Sequence, residues 1–346
     1  MSDQESKHAV DKTKPVLVTG ASGFVGSHTA RLLTEQGRKV RVLLRKSSNT
    51  RALDGLPVDI HYGDVLDPQS LRDAMGGCAT VFYSVVDPRF WLTDTKPLYR
   101  NNVDGLVNAM DVALELGVER FIFTSTMGTL GVNPNGPVTE DIPFNWLDKA
   151  PPYIRARLEA ENVFLKYCAE KKLPGVALCV ANTYGPQDYQ PTPHGKMVWD
   201  MSCGRVKAAL DAGAPTVDIR DVAEAAVAAE EKGRLGERYI IANEYISNRD
   251  FYTLAAAEGG QPPPKIIPMW VGYIAATVIE SILKLLRKKD YLVRKDAVYL
   301  SEVFREMDHS KATRDLDWHP RPVAQTVKDA VAWYQANESI LDSSGH

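Results

Sequence analysis

A doubly wound α/β fold built on a parallel sheet is what this sequence predicts, and three observations predict it. Short β-branched runs alternate with amphipathic stretches through the first half, a glycine-rich turn joins the first run to the first such stretch, and the alternation loosens only after about Ala181. A parallel crossover needs a dozen or more residues, so strands and helices taking turns give parallel strands covered by helices on both faces.

From Pro15 onward each element has its own signal. Val16 to Thr19 is a buried apolar run, Phe24 to Gln36 has helical periodicity, and Lys39 to Leu44 is a second strand. Val81 to Val86, Phe121 to Ser125 and Val176 to Val180 read as further strands, with helices over Val103 to Leu116 and Tyr153 to Lys171. Past Ala181 come the loops Gly185 to Gly195 and Gln261 to Pro264, after which Asp218 to Glu230 and Tyr239 to Ala242 resume the pattern. Asp221 reads as the cap of the Ala-rich helix.

Composition narrows the function. The 346 residues, 44% hydrophobic and 25% charged, are enough for a sizeable core, and 41 Lys plus Arg against 44 Asp plus Glu give a net charge of −3. No cationic field of the kind that draws proteins to nucleic acid results. Cys78, Cys168, Cys179 and Cys203 form no CxxC pair and read as reduced thiols, which points to a cytoplasmic protein. Residues 1–14 are polar and read as a tail. Ile266 to Leu286 approaches membrane-span length but contains Pro268, Glu280 and Lys284, so no transmembrane span is expected.

The chemistry begins at Thr19-Gly20-Ala21-Ser22-Gly23-Phe24-Val25-Gly26, which follows the first strand and opens the first helix. Glycines let the backbone turn sharply and approach a pyrophosphate, whose charge the free N–H groups of the helix N-terminus stabilise. Strand, turn and helix in this order predict a Rossmann-type dinucleotide site. Near the end of the second strand, where an acid would suit the ribose of NAD, stand Arg45 and Lys46. Their charge suits the 2′-phosphate of NADP(H), with Asn49 and Arg51 as weaker candidates. The dinucleotide domain is then 15–186, completed by about 216–245, and a smaller mixed C-terminal substrate-binding region comprises 187–215 and 246–335 before a tail at 336–346.

Further motifs stand in order: Gly63-Asp64-Val65, Asn102-Val103-Asp104-Gly105, Phe123-Thr124-Ser125-Thr126, Asn182-Thr183-Tyr184-Gly185-Pro186, Asp308-His309-Ser310-Lys311-Ala312 and Leu316-Asp317-Trp318-His319-Pro320. With the glycine turn, they make nearly the whole chain resemble the extended (atypical) short-chain dehydrogenase/reductases of the NAD(P)-dependent epimerase/dehydratase superfamily. Within it, the branch with 3β-hydroxysteroid dehydrogenases and dihydroflavonol reductases is the most similar. The resemblance implies a catalytic hydroxyl at Thr126, with Ser125 as fallback, and a tyrosine at Tyr153 in Tyr153-Ile154-Arg155-Ala156-Arg157. Arg157 stands where the family has lysine, one helical turn from the tyrosine. The resemblance further implies cofactor contacts from Gly20, Ser22, Gly23, Phe24, Val25, Gly26, Arg45, Lys46, Asp64, Val65, Tyr83, Tyr153, Arg157, Asn182 and Tyr184. Asp64 would lie near the adenine, and Tyr184 and Pro186 near the nicotinamide.

A free tyrosine titrates near pH 10, so proton exchange at neutral pH calls for a cation that stabilises the phenolate. Arg157 supplies one that essentially never deprotonates, which removes any relay through a lysine. The expected reaction is NADP(H)-dependent oxidoreduction between a nicotinamide and a hydrophobic ketone or secondary alcohol. Nucleotide-sugar epimerisation or dehydration and non-catalytic NADP sensing are the rival readings. Tyr83-Ser84-Val85-Val86 is expected to narrow the space near the nicotinamide, and Tyr189 and His194 are candidate substrate contacts. Between Trp270 and Lys288 the pattern predicts one amphipathic helix with Val271, Ile274, Val278, Ile282 and Leu285 on its apolar side. That side is expected to pack on the protein's own core. Peripheral contact of 268–289 with an anionic membrane, through the basic end Arg287-Lys288-Lys289, is the alternative, and a homodimer is compatible with the sequence.

Overall fold

A computed structural model describes residues 10–89, 91–286 and 295–342. Among them the strands are β1 (Val16–Thr19), β2 (Val40–Leu44), β3 (Val58–Tyr62), β4 (Thr80–Tyr83), β5 (Arg120–Thr126), β6 (Gly175–Val180), β7 (Asn182–Tyr184), β8 (Ala208–Leu210), β9 (Gly213–Asp218), β10 (Arg238–Ile241), β11 (Tyr245–Ser247) and β12 (Lys265–Ile267). The first helices are α1 (Phe24–Glu35), α2 (Pro68–Met75), α3 (Lys96–Tyr99), α4 (Gly105–Glu115), α5 (Pro152–Lys171), α6 (Pro193–Ser202) and α7 (Ile219–Lys232). Toward the C-terminus follow α8 (Asn248–Glu258), α9 (Met269–Leu285), α10 (Lys295–Val303), α11 (Ser310–Leu316), α12 (Val323–Ala336) and α13 (Ser339–Asp342).

The main sheet has seven strands in the order β10-β6-β5-β4-β1-β2-β3, parallel throughout. It is the Rossmann-type sheet expected, and its burial follows from the pleat. Val16 and Val18 of β1 face one core with α1 and α7, whereas Leu17 faces the other with α2, α4 and α5. Chain order reverses between β1 and β4, and the carboxyl ends of those strands open the crevice where such folds bind ligands. The small sheets β11-β9-β7 and β12-β8 belong to the second region, whose core joins Tyr184, Val198, Phe251, Val327 and Val331.

Two expectations are corrected here. Asp218, not Asp221, caps α7: its carboxylate accepts the Arg220 N–H at 2.8 Å and pairs with the Arg220 and Arg321 side chains. Asp221 instead accepts the Arg321 backbone N–H, which fastens the C-terminal segment to this helix. The apolar side of α9 does not pack on the core either. Gly272 and Ala276 turn inward, while Ile274, Val278, Ile282 and Leu285 are exposed. Amphipathic spacing identifies an apolar face but does not specify what covers it. The basic run Arg287-Lys288-Lys289 lies outside the described residues, as does most of the 1–14 tail. The final tail overlaps α13, and its residues 343–346 lie outside as well.

Candidate active site

The glycine turn forms the floor of a cavity of about 420 Å³ at the β1/β4 switch. Gly20 has φ +71°, and a Cβ there would lie 2.6 Å from the Ser84 carbonyl oxygen. A Cβ on Gly26 would come within 2.4 Å of Gly20 O. No side chain caps α1, so the N–H groups of its first turn are left for an anionic ligand. This uncapped, Cβ-intolerant cradle fits a dinucleotide pyrophosphate. Gly20, Ser22, Gly23, Arg45, Asp64 and Val65 line the cavity, and Asp64 braces its own turn by accepting the Leu66 N–H at 2.9 Å. Among the described residues no carboxylate pairs with Arg45 or Lys46.

Phe24, Val25 and Gly26 form that first turn of α1, and the Phe24 side chain packs edge-on against His28 at 5.3 Å. Lys46 does not line the cavity. Tyr83 is buried in the second core beside Phe121 and Phe123, its hydroxyl without a partner. Strand β4 ends there, so it is Ser84, Val85 and Val86 that reach the cavity. Asn182 and Tyr184 form β7, and the Tyr184 ring packs on Phe251 at 4.5 Å and on His194 at 5.4 Å. Tyr189 packs edge-on against Trp333. From the same loop Gln190 reaches back and donates to the Ser22 carbonyl at 2.7 Å, tying the substrate-side loop to the phosphate turn.

At the end of β5 two adjacent hydroxyls part company. Ser125 is buried and donates to Glu161, which also accepts from Thr129 at 2.8 Å and pairs with Arg238 at 2.9 Å. The Thr126 hydroxyl accepts the Gly128 N–H at 3.2 Å, and among the described residues nothing accepts its own proton, which leaves it for a ligand oxygen. Pro151 and Pro152 start α5, and Tyr153 follows, half-buried against a cluster containing Phe144, Trp146, Tyr299, Leu300 and Phe304.

Arg157, one turn on, is 2% exposed. Its guanidinium donates to the Thr124 carbonyl at 2.7 Å and to Asn102 Oδ1 at 3.5 Å, and lies 5.3 Å from the Phe123 ring centre. Its Nε is buried without a partner. Burial raises the Tyr153 phenol above its ordinary value; the charge of Arg157 opposes that rise and the carboxylate of Asp87 adds to it. Tyr153 is therefore a protonated acid at neutral pH.

Sequence reasoning missed the polar cluster around Asp87, in the loop after β4. Asp87 accepts from the side chains of Arg89 at 2.7 Å and Asn101 at 2.8 Å, and its backbone N–H donates to Asn102 Oδ1 at 3.0 Å. Burial resists ionisation of Asp87, but these bonds outweigh it and leave its carboxyl below the ordinary value. Asn102 sits in a π-helical turn, Arg100–Asp104, of the kind often found at functional sites. Asp87-Pro88 and Asn101-Asn102 were the available signals.

Residues 16–242 match the model of the NAD-dependent epimerase/dehydratase family. A putative dihydroflavonol 4-reductase of Synechocystis sp. is 32% identical over 96% of this chain and 97% of its own length. Sterol demethylase protein B of Methylococcus capsulatus is 30% identical over 94% and 99%. Among solved structures, gox2253 superposes with a TM-score of 0.83 at 32% identity, covering 93% of this chain and 98% of its own. A nucleoside-diphosphate-sugar epimerase from Pseudomonas aeruginosa shares the fold, with a TM-score of 0.79 at 20% identity over 95% and 98%.

Proposed function

This chain belongs to the NAD-dependent epimerase/dehydratase family and is an NAD(P)-dependent enzyme of the extended short-chain type, and from that premise we propose that it is an NADP(H)-dependent carbonyl reductase or alcohol dehydrogenase. Its substrate is a hydrophobic ketone or secondary alcohol, steroid-like, aryl or lipid-like. One observation carries this reading: a protonated tyrosine, under the field of a buried guanidinium, stands among apolar and aromatic side chains.

The cofactor, when bound, exchanges a hydride with the carbonyl carbon. The residues of the chain govern the oxygen. Thr126 donates a hydrogen bond to it, and Tyr153 Oη delivers the proton in reduction and recovers it in oxidation. Arg157 gives its hydrogen bonds to Thr124 and Asn102, which hold it in place, and lowers the cost of the Tyr153 phenolate by its charge. Arg45 supports NADP over NAD, because a guanidinium matches a 2′-phosphate and an acid does not. The relatives named for dihydroflavonol and sterol chemistry support an apolar substrate over a sugar nucleotide.

The test is NADPH consumption against steroid, aryl and aliphatic ketones alongside nucleotide sugars. Tyr153→Phe abolishes turnover of the accepted ketone and leaves the NADPH fluorescence titration unchanged. Full activity in that variant removes Tyr153 from the mechanism, and turnover of nucleotide sugars alone replaces the reading with epimerisation.

A further inference from the structure

Helix α9 leaves Trp270, Ile274, Val278, Ile282, Leu285 and Leu286 half or more exposed, with Leu285 at 84%. From Trp270 through Ile274, Val278 and Ile282 to Leu285 and Leu286 the spacing is three or four, so they form one stripe along the helix and just past its end. The helix is fastened by other means. Gly272 lies so close to Leu210 that a Cβ would stand 2.6 Å from it, Ala276 is buried, and Tyr273 donates to Glu302 of α10. Among the described residues these large aliphatics belong to no buried cluster, and a contiguous exposed apolar face of this kind marks a contact surface.

We propose that this face docks, parallel to the surface, in the headgroup region of an anionic lipid bilayer. Three features select lipid as the occupant. At about 1.5 Å per residue, 17 helical residues span about 25 Å, short of the ~30 Å hydrocarbon core, so the helix lies on a bilayer and does not cross it. A tryptophan stands at one end, as at membrane interfaces. At the other end the sequence continues into Arg287, Lys288 and Lys289, a cluster that suits anionic headgroups, whereas lysine is depleted from protein interfaces. The docked face is one helix away from the candidate site, since α10 carries Tyr299 and Leu300 of the cluster around Tyr153. Docking stands on the exposed face alone; only its value for collecting an apolar substrate rests on the proposed function.

The test floats the full-length protein with vesicles of phosphatidylcholine, with and without phosphatidylglycerol. Co-flotation with the anionic vesicles, weakened by high salt, is expected. The double variant Ile274→Glu and Ile282→Glu lowers partitioning at least about tenfold while NADPH binding, read by fluorescence, is unchanged. Failure of the wild type to float with anionic vesicles overturns the proposal, as does flotation of the variant at the wild-type level. Light scattering on the same samples identifies the rival occupant. A wild-type dimer that ignores vesicles and that the variant converts to monomer assigns the face to a second copy of the chain and overturns lipid docking. None of these readouts uses turnover, so failure of the proposed reaction leaves the result intact.

Discussion

Replacing Arg157 separates its charge from its geometry. Arg157→Lys keeps a cation near Tyr153, but an ammonium cannot span both the Thr124 carbonyl and Asn102 Oδ1 as the guanidinium does. Losing one hydrogen bond to a charged group costs about 1.5–3 kcal/mol. With an unfolding entropy of roughly 2.1 cal/mol/K per residue, that is a fall of about 2–4 °C in Tm for a chain of this length. Arg157→Met removes the charge as well. A nearby cation holds an acid down by about 1–3 units, so its loss raises the Tyr153 phenol further and cuts the phenolate fraction about tenfold per unit. Carbon-13 NMR titration of labelled tyrosine, with Tyr153→Phe to identify the signal, reads the shift directly. The pH profile of alcohol oxidation reads its consequence, a rate limb displaced to higher pH. A methionine variant whose Tyr153 signal and oxidation profile match the wild type refutes the electrostatic role.

Three further outcomes follow from the same geometry. Arg45→Glu weakens NADPH binding by about 10- to 150-fold, the worth of a charge-assisted hydrogen bond, and leaves NADH little changed; equal losses for both in fluorescence titration remove Arg45 from the 2′-phosphate. Gly26→Ala forces a Cβ to within 2.4 Å of Gly20 O and abolishes binding of both dinucleotides; retained affinity would show that the turn is not the cradle. Buried His28, whose ring nitrogen lies 3.1 Å from the Pro186 carbonyl, is pushed down to about 4, chiefly by burial. Because its folded value is depressed, the unfolded chain takes up the proton first, and stability falls as pH drops from about 6.5 toward 4, by about 3 kcal/mol at most. Denaturant melts of His28→Gln at pH 7 and pH 5 show a smaller acid loss than the wild type.

What was legible in the sequence was whatever repeats. Strands β1, β2, β5 and β6 are apolar along most of their length, with Arg41 the interruption in β2 and polar residues at the ends of β5, because the sheet buries them on both faces, and the expected bounds differ from the observed ones by a residue or so. At the sheet edge β3 alternates instead, with Asp59 toward solvent and Val58 packed inward, and carries no such run. The three-residue strands β7, β8, β11 and β12 are too short to show a period. The cluster of Asp87, Arg89, Asn101 and Asn102 joins residues up to 15 positions apart in the segment after β4, which no local pattern encodes. The fate of Ser125 was equally hidden: it and Thr126 are interchangeable in sequence until Glu161, from the middle of α5, claims the first.

Arginine in the lysine position acquires a physical meaning only with that cluster in view. A lysine could approach a ligand and exchange a proton; the guanidinium is sunk against Phe123 and fixed by Thr124 and Asn102. Asn102 also accepts from the backbone of Asp87, and Asp87 is the carboxylate that opposes Arg157 at the Tyr153 phenol. The two charges that bias the tyrosine in opposite senses thus share one asparagine. Asp87 in turn lies on the loop that lines the dinucleotide cavity, paired with Arg89 on the same wall. Burial is the chief cause of the raised proton affinity of Tyr153, and a connected set of residues running from the cavity wall to α5, with the Arg157 cation held deep in the protein, biases it in both senses.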